Sequence, residues 1–261
     1  MLPRRELLEG SRRAADLEPL IDAAEQALRT WEPRWTPFLE PPLREEAEER
    51  LAGLSELAVA STGGHPGAER RRLLLQRAEA AAAAVPPPAG LTGLEISGNF
   101  LFDPATGEEI REALLAAGAA EGDLGDLWLR GDRGAQAIVT EAAASRLDGR
   151  HGRVRSVEVR FEARPITELQ LPPERRPRPL TTVEASTRLD AVASAGFGLS
   201  RSRMAELIRR GAVRIDWRTV TSPSRELAGG ERVRLEGRGE LEILSIDRTR
   251  RDRFRVRMER R

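Results

Sequence analysis

The feature that most limits how this chain can fold is a group of five prolines between residues 165 and 179. They are Pro165, Pro172, Pro173, Pro177 and Pro179. Each proline lacks a backbone N–H and has a fixed φ, so their spacing excludes a helix and predicts an extended segment. Arg175, Arg176 and Arg178 make the segment basic. We predict a Pro/Arg-rich linker at residues 166–180.

The two sides of this linker carry opposite net charge. Residues 1–149 hold 16 arginines and 26 Asp or Glu, whereas residues 150–261 hold 27 arginines and 16 Asp or Glu. No lysine is present, so the basic side chains are guanidinium groups, which suit bidentate contacts to phosphates and base edges. The charge distribution predicts a C-terminal half that faces a polyanion and an acidic N-terminal half that offers a protein partner a surface.

The composition excludes several classes of site. The chain has no cysteine and only two histidines, His65 and His151, so disulfides, thiolate metal sites and histidine-based metal sites are excluded. It also lacks an apolar run of 18 residues and the apolar core of a signal peptide. We expect a cytoplasmic protein without membrane insertion, metal, cofactor or catalytic residues.

Hydrophobic spacing predicts a mainly helical N-terminal domain at residues 1–88, since Leu17, Ile21 and Leu28 recur at helical intervals. A glycine-rich loop at residues 61–69 is expected to open a further helix that ends at residue 84. Glycines that precede a helix can bind phosphate, although a plain surface connection is the alternative. If the polyanion is RNA, the arginines of this loop and of the linker could form a second contact with it, apart from the main contact in the C-terminal half. These candidates are Arg70, Arg71, Arg175 and Arg176.

Residues 89–165 are predicted to form a ferredoxin-like or RRM-like α+β domain. The pattern reads strand, helix, strand, strand, helix, strand, which is typical of that fold. The segment has no tyrosine and no aromatic RNP pattern. We therefore expect Phe100, Phe102 and Trp128 to pack in the core, with base stacking as the alternative.

Residues 181–261 predict a small α/β domain that begins with two short helices. Gly196 and Gly198 are expected to end the first helix through positive φ, and Ser200 is a typical N-cap for the second. Free N–H groups and the helix dipole at that N-terminus favour anions. RNA phosphate is the expected ligand of the nearby arginines, and an ordinary solvated charged face is the alternative.

The segments Arg188-Leu189-Asp190, Gly196 to Ser202 and Ile208 to Val213 resemble the S4-type RNA-binding domain over roughly residues 182–245. The resemblance implies a small α/β fold with the αL motif, which contacts structured RNA through its second helix, the N-terminal turn of that helix and nearby strands. The residues implied as RNA contacts are Arg188, Ser200, Arg201, Arg203, Arg209, Arg210 and Arg214.

The chain departs from this family after the first strand that follows the helices. Where the family often has Asn-Gly, this sequence has Asp216-Trp217. We expect the carboxylate to repel phosphate and Trp217 to stack on a ribose or base, with Arg218 as a further RNA contact.

The whole chain resembles YlmH-type proteins, including the photosystem II S4-domain group of cyanobacteria and plastids. The supporting segments are Phe38 to Pro41, Gly63 to Arg70, Gly125 to Leu127 and Gln136 to Val139. The resemblance implies three parts: a helical domain, an RRM-like domain and an RNA-binding end. In bacterial relatives it implies work on the large ribosomal subunit, including rescue of stalled translation with peptidyl-tRNA.

We therefore predict a non-catalytic protein that binds structured rRNA or tRNA on the large ribosomal subunit, in translation quality control or assembly. One alternative is a photosystem II-related assembly or expression factor that binds protein or mRNA. A second alternative is an RNA-modifying enzyme of the pseudouridine synthase type, since Arg146-Leu147-Asp148 has that family's catalytic tripeptide without its continuation.

Overall fold

The computed structural model describes residues 2–11, 13–83, 85–173, 177–235 and 238–261. Two compact units are present, Met1–Pro173 and Glu174–Arg261. Arg175 and Arg176, two of the candidate RNA contacts, lie outside the described residues. The division of the first unit at residue 88 and the extent of the linker stay predictions. Among the described residues, no helix combines the length and apolar character needed to cross a membrane.

The N-terminal part of the first unit contains helices and a small sheet. The elements are α1 (Arg4–Leu8), α2 (Ala14–Thr30), β1 (Arg34–Trp35), α3 (Pro41–Leu51), β2 (Leu57–Thr62), β3 (Arg72–Arg77) and α4 (Ala78–Ala83). The strands pair antiparallel in the order β1-β3-β2. The apolar stripe of α2, which the sequence predicts, is buried in one core with Leu73 and Leu75 of β3.

The helix that we predicted directly after the glycine-rich loop is wrong in its first half, where the chain forms β3. Leu73, Leu74 and Leu75 are all fully buried, and neighbouring strand residues point to opposite faces, so both faces of β3 are covered. A short continuous apolar run does not distinguish such a strand from a buried helix. The loop therefore lacks the helix N-terminus that the phosphate-binding interpretation requires.

The remainder of the first unit is a five-stranded antiparallel sheet with two helices. Its elements are β4 (Leu91–Ser97), α5 (Gly107–Ala116), β5 (Leu124–Leu129), β6 (Gly134–Thr140), α6 (Glu141–Leu147), β7 (His151–Val154) and β8 (Val157–Arg164). The strand order is β5-β6-β4-β8-β7. Without the β7 hairpin extension, this order and the chain sequence give the ferredoxin-like arrangement, so the predicted α+β class is confirmed.

The three aromatic residues of this part have different environments. Phe100 is buried in the core of this sheet. Trp128 is partly buried against a separate small cluster of Phe38, Ile138 and Leu169. Phe102 is 91% exposed, so the expectation that it packs in the core is wrong. It lies beyond the end of β4, in the loop that leads to the capping box at Thr106 and the start of α5.

The second unit has two helices on one face of a six-stranded sheet. Its elements are β9 (Arg178–Glu184), α7 (Leu189–Phe197), α8 (Arg201–Arg209), β10 (Val213–Ile215), β11 (Arg218–Thr219), β12 (Arg232–Leu235), β13 (Gly239–Arg248) and β14 (Phe254–Arg260). The order is β11-β10-β12-β13-β14-β9, with every pair antiparallel. Helices and strands share one core, in which Phe197, Met204, Leu241 and Val256 are buried.

Gly196 and Gly198 differ in their roles. Gly198 has φ of +65° and ends α7 in the left-handed conformation, as predicted. Gly196 lies inside the helix, and a Cβ there would approach Leu241 Cδ1 to 2.3 Å. The prediction that Gly196 ends the helix is therefore wrong: it is the contact point where α7 packs closely on β13.

Candidate nucleic-acid interface

The N-terminus of α8 has the local structure that its sequence predicts. Ser200 is the N-cap, and its Oγ accepts a hydrogen bond of 3.2 Å from the backbone N–H of Arg203. The reversal at Gly198 separates the end of α7 from the first residue of α8 by three residues. The other backbone N–H groups of the first turn of α8 lie next to Arg201. Arg201 in turn contacts Asp190 in the first turn of α7.

Asp190 is a buried carboxylate that holds two of the predicted RNA-binding arginines. Arg188 donates from Nε to Oδ1 at 3.0 Å and from Nη2 to Oδ2 at 3.2 Å. Arg201 donates from Nε to Oδ2 at 3.1 Å and from Nη2 to Oδ1 at 3.2 Å. The side chain of Asp190 is 8% exposed, against 39% and 54% for the arginines. We call these three residues the Asp190 clamp.

The charges of the Asp190 clamp stabilise one another. Burial acts to raise the pKa of Asp190, but the hydrogen bonds and charges of Arg188 and Arg201 outweigh it, so this pKa is below its ordinary value. The hydrogen bond to Asp190 raises the pKa of Arg188. A guanidinium has about five N–H donors, so each arginine keeps donors for a phosphate. The sequence motif contained Asp190, but its role in orienting both arginines was not predicted.

Glu206 links two further predicted contacts on the outer face of α8. It pairs with Arg203 Nη1 at 2.7 Å and with Arg210 Nη2 at 2.9 Å. The hydrogen bond from Arg203, followed by the charges of both arginines, lowers the pKa of Glu206. Glu206 therefore stays ionised and competes with phosphate for these guanidinium groups.

Three further predicted arginines of this unit are not part of the Asp190 clamp. Arg209 lies in the final turn of α8, Arg214 on β10 and Arg218 on β11, and all three are exposed. Within the part of the chain that the structure describes, their side chains have no hydrogen bond or ion pair. Their donors are therefore available to an external anion.

The turn at Asp216 and Trp217 joins β10 and β11 through two residues with positive φ, of 45° and 62°. The carboxylate of Asp216 accepts a hydrogen bond of 3.0 Å from the backbone N–H of Arg232, which connects the turn to β12. The guanidinium of Arg232 lies 5.7 Å from the centre of the Trp217 ring. Tryptophan rarely adopts positive φ, which costs about 1–2 kcal/mol, and such strain is frequent at functional sites.

We expect Trp217→Gly to be more stable than Trp217→Ala by about 1 kcal/mol, because glycine adopts this φ without the strain that alanine retains. Both variants remove the ring, so they should lose the same part of the RNA affinity if Trp217 stacks on a ribose or base. Chemical denaturation and RNA titration of both variants test this. Equal stability of the two would show that the turn is unstrained.

The predicted secondary contacts Arg70 and Arg71 both have hydrogen-bond partners within the first unit. Arg70 donates from Nε to the Leu124 carbonyl at 2.8 Å and pairs with Glu121 at 3.2 Å. Burial, followed by the charge of Arg111, lowers its pKa despite this pairing. Arg71 donates to two carbonyl oxygens within its own loop. Their guanidinium groups thus hold the glycine-rich loop, and RNA contact through them stays a prediction.

Asp126 anchors the glycine-rich loop to β5. Its carboxylate accepts hydrogen bonds from the backbone N–H of Glu69 at 2.8 Å and of Arg70 at 2.9 Å, and its Oδ2 lies 3.2 Å from His65 Nε2. Burial acts to raise the pKa of Asp126, but the hydrogen bonds from His65 and from the backbone outweigh burial. The pKa of Asp126 is therefore below its ordinary value. Two of the sequence segments behind the YlmH resemblance are therefore in direct contact. Sequence reasoning missed this link, since 56 residues separate Asp126 from Arg70.

No set of three or more His, Cys, Asp or Glu side chains, among those that the structure describes, is placed to hold a metal ion.

Two family models match the chain. Residues 13–80 match the N-terminal domain of YlmH, and residues 187–233 match the S4 domain. The second match contains the Asp190 clamp, all of α8 and the turn at Trp217. The photosystem II part of the resemblance has no support from these matches and stays a prediction.

One curated relative and one solved structure are similar to parts of the chain. The ribosome-associated protein quality control protein P2 of Bacillus subtilis (strain 168) is 34% identical over 77 residues. This match spans 29% of the present chain and 30% of the relative. The cell division protein ylmH from Streptococcus pneumoniae aligns with a TM-score of 0.43 and 21% identity, over 59% of this chain and 93% of that one. The recognition is confirmed at the level of two domains: the chain contains a YlmH-type N-terminal domain and an S4 domain.

Proposed function

We propose that this protein binds structured RNA through its second unit and acts on the large ribosomal subunit without catalysing a reaction. The observation that carries the proposal is the Asp190 clamp, which presents two oriented guanidinium groups beside the N-terminus of α8. Oriented arginines and free helix N–H groups together favour phosphate. The S4 match over this surface supports RNA as the source of that phosphate.

The charge of the second unit extends this surface. Residues 174–261 contain 22 arginines and 13 Asp or Glu. A surface with this excess attracts RNA at long range, and each phosphate contact releases counterions, so binding should weaken steeply as salt rises. Arg188, Arg201 and Arg203 would bind phosphates directly, and Arg209, Arg214 and Arg218 would extend the contact. Trp217 would add stacking.

The ribosomal role rests on similarity to the relative whose name places it in ribosome-associated protein quality control. For the present chain we propose rRNA or tRNA on the large subunit as the target and the cytoplasm as the compartment. The acidic first unit would then face a protein partner.

A non-catalytic role agrees with the position of Asp148, the residue on which the pseudouridine synthase alternative depends. Its Oδ1 accepts a hydrogen bond of 2.9 Å from the backbone N–H of Ala163. It directly follows α6 and joins the end of that helix to β8. This environment supports a structural role for the carboxylate.

Affinity purification of the tagged protein from lysate of its own organism tests the proposal. We expect large ribosomal subunits to co-purify at low salt and to be lost at high salt or after ribonuclease treatment. Enrichment of photosystem proteins, insensitive to ribonuclease, would favour the alternative assembly role instead. Absence of ribosomal RNA from the purified material at every salt concentration would contradict the proposal.

A further inference from the structure

A groove of about 300 Å³ lies in the second unit beside α8. Its lining residues are Leu199, Arg203, Leu207, Ala212, Leu235 and Arg238. The four aliphatic residues are buried or half-buried, whereas the two arginines are exposed. The groove therefore has a mixed lining of aliphatic side chains and two exposed guanidinium groups.

Several residues that line the groove take part in backbone hydrogen bonds. Leu199 donates to the Ser194 carbonyl at 2.9 Å, and Ala212 donates to the Leu207 carbonyl at 3.1 Å. Arg238 donates to the Leu235 carbonyl at 2.9 Å. The turns before and after α8, which carry Leu199 and Ala212, are therefore held by backbone hydrogen bonds.

We propose that this groove receives one unpaired nucleobase of the RNA that α8 binds, an inference that rests on the proposed function. The aliphatic lining would pack against the face of the base. Arg203 and Arg238 would stack on it through their guanidinium planes or bind its flanking phosphates. Arg203 is a predicted phosphate contact, so the groove continues the same surface. Neither Leu207 nor Arg238 was predicted from the sequence as an RNA contact.

Size and charge favour a nucleobase over a peptide. Small-molecule pockets span roughly 300–1,000 Å³, so this groove suits one planar group. An amphipathic peptide helix docks through several apolar side chains spaced over two turns. The four aliphatic residues of this groove can accept only one such side chain. The side chain of Arg238 has no carboxylate partner in the described part of the chain, and the unit around it is strongly basic.

The inference predicts a structural preference in the RNA. A fully paired helix stacks all of its bases internally and offers none to the groove. RNA with a bulged nucleotide beside a helix offers both phosphates for the Asp190 clamp and a free base. Insertion of a base adds apolar and stacking contacts that backbone contacts alone do not provide.

The test compares two RNA hairpins of equal length, one fully paired and one with a single bulged nucleotide. We expect the wild-type protein to bind the bulged hairpin about tenfold more tightly. Ala212→Leu fills the groove without changing any charge, and it should reduce this ratio to about one while the affinity for the paired hairpin stays the same. Ala195→Leu, at an exposed position of α7, is the matched control and should keep the full ratio.

Each other outcome has a defined meaning. If wild type binds neither hairpin, the proposed RNA-binding function fails. If it binds both equally, or if Ala212→Leu keeps the preference, the groove assignment is overturned. If Ala212→Leu proves to be thermally unstable, Leu207→Gln replaces it, because this variant removes an aliphatic side chain from the groove without filling the space. Its ratio of affinities for the bulged and the paired hairpin should also fall to about one, and an unchanged ratio would overturn the groove assignment. Binding of an acidic peptide to wild type but not to Ala212→Leu, without discrimination between the hairpins, would assign the groove to protein and also overturn the inference.

Discussion

Replacing Arg201 and Arg203 together by alanine is expected to weaken binding to structured RNA by about 10- to 100-fold at near-physiological salt. Both side chains lie in the first turn of α8, where their charges add to the free N–H groups of the helix. Each lost phosphate contact should also lower the slope of log affinity against log salt by about one. Titration of a ribosomal RNA fragment at several salt concentrations measures both effects.

The matched control for this variant is Arg160→Ala with Arg164→Ala. These two arginines also pair with a carboxylate, that of Glu162, at 3.1 and 2.9 Å. Both lie on β8 in the acidic first unit. The double substitution therefore removes the same charge from a surface that is not proposed to bind RNA. An unchanged affinity and salt slope in the Arg201 and Arg203 variant, with an intact melting transition, would show that α8 is not the RNA contact.

Replacing Asp190 by asparagine is expected to destabilise the second unit by about 1–3 kcal/mol at neutral pH. The variant loses the charge that both guanidinium groups of the clamp contact, and it leaves a buried amide that matches neither arginine fully. Because Arg188 and Arg201 are partly exposed, water can solvate them, which keeps the cost below that of a fully buried pair. Chemical denaturation of wild type and variant measures the difference.

The pH dependence gives this prediction a specific signature. The pKa of Asp190 is lowered in the folded protein, so its ionised form stabilises the fold at pH values above the ordinary pKa of about 4. That stabilisation is lost as pH falls through the lowered folded-state pKa. The stability difference between wild type and Asp190→Asn should therefore be full at neutral pH and shrink below about pH 4.

The control for this prediction is Asp247→Asn, which makes the same change in an exposed ion pair of the same unit. Asp247 contacts Arg257 at 3.2 Å and is 55% exposed, and exposed ion pairs contribute about 0–1 kcal/mol. A loss of stability in Asp190→Asn no larger than in this control, with the same pH profile, would mean that the clamp does not stabilise the unit.

Much of the candidate site was predictable because its determinants are local. Ser200 caps α8 through a contact three residues away, and Gly198 ends α7 through its own backbone conformation. The ferredoxin-like order of the middle sheet follows from the alternation of strand and helix patterns. The arginines of α8 were located correctly on its N-terminal turn and outer face, although their contact with RNA stays a prediction.

Other features depend on contacts between distant parts of the chain. Gly196 is required by the approach of Leu241, 45 positions away, which no local pattern encodes. Likewise β3 became a strand because β1 and β2 flank it, although its three leucines suit a buried helix equally. The carbonyl oxygens that accept hydrogen bonds from Arg70 and Arg71, and the contact of their loop with Asp126, were likewise not encoded locally.

The sequence by itself determined that α7 ends at Gly198, that Ser200 caps α8 and which half of the chain is basic. Those properties arise from capping, backbone conformation and charge, all of which act within a few residues. Only the tertiary structure decided that Asp190 binds both Arg188 and Arg201 and that a groove lined by aliphatic side chains and two arginines lies beside α8. Such arrangements depend on how α7, α8 and the sheet pack, and packing joins residues whose separation along the chain carries no information about their contact.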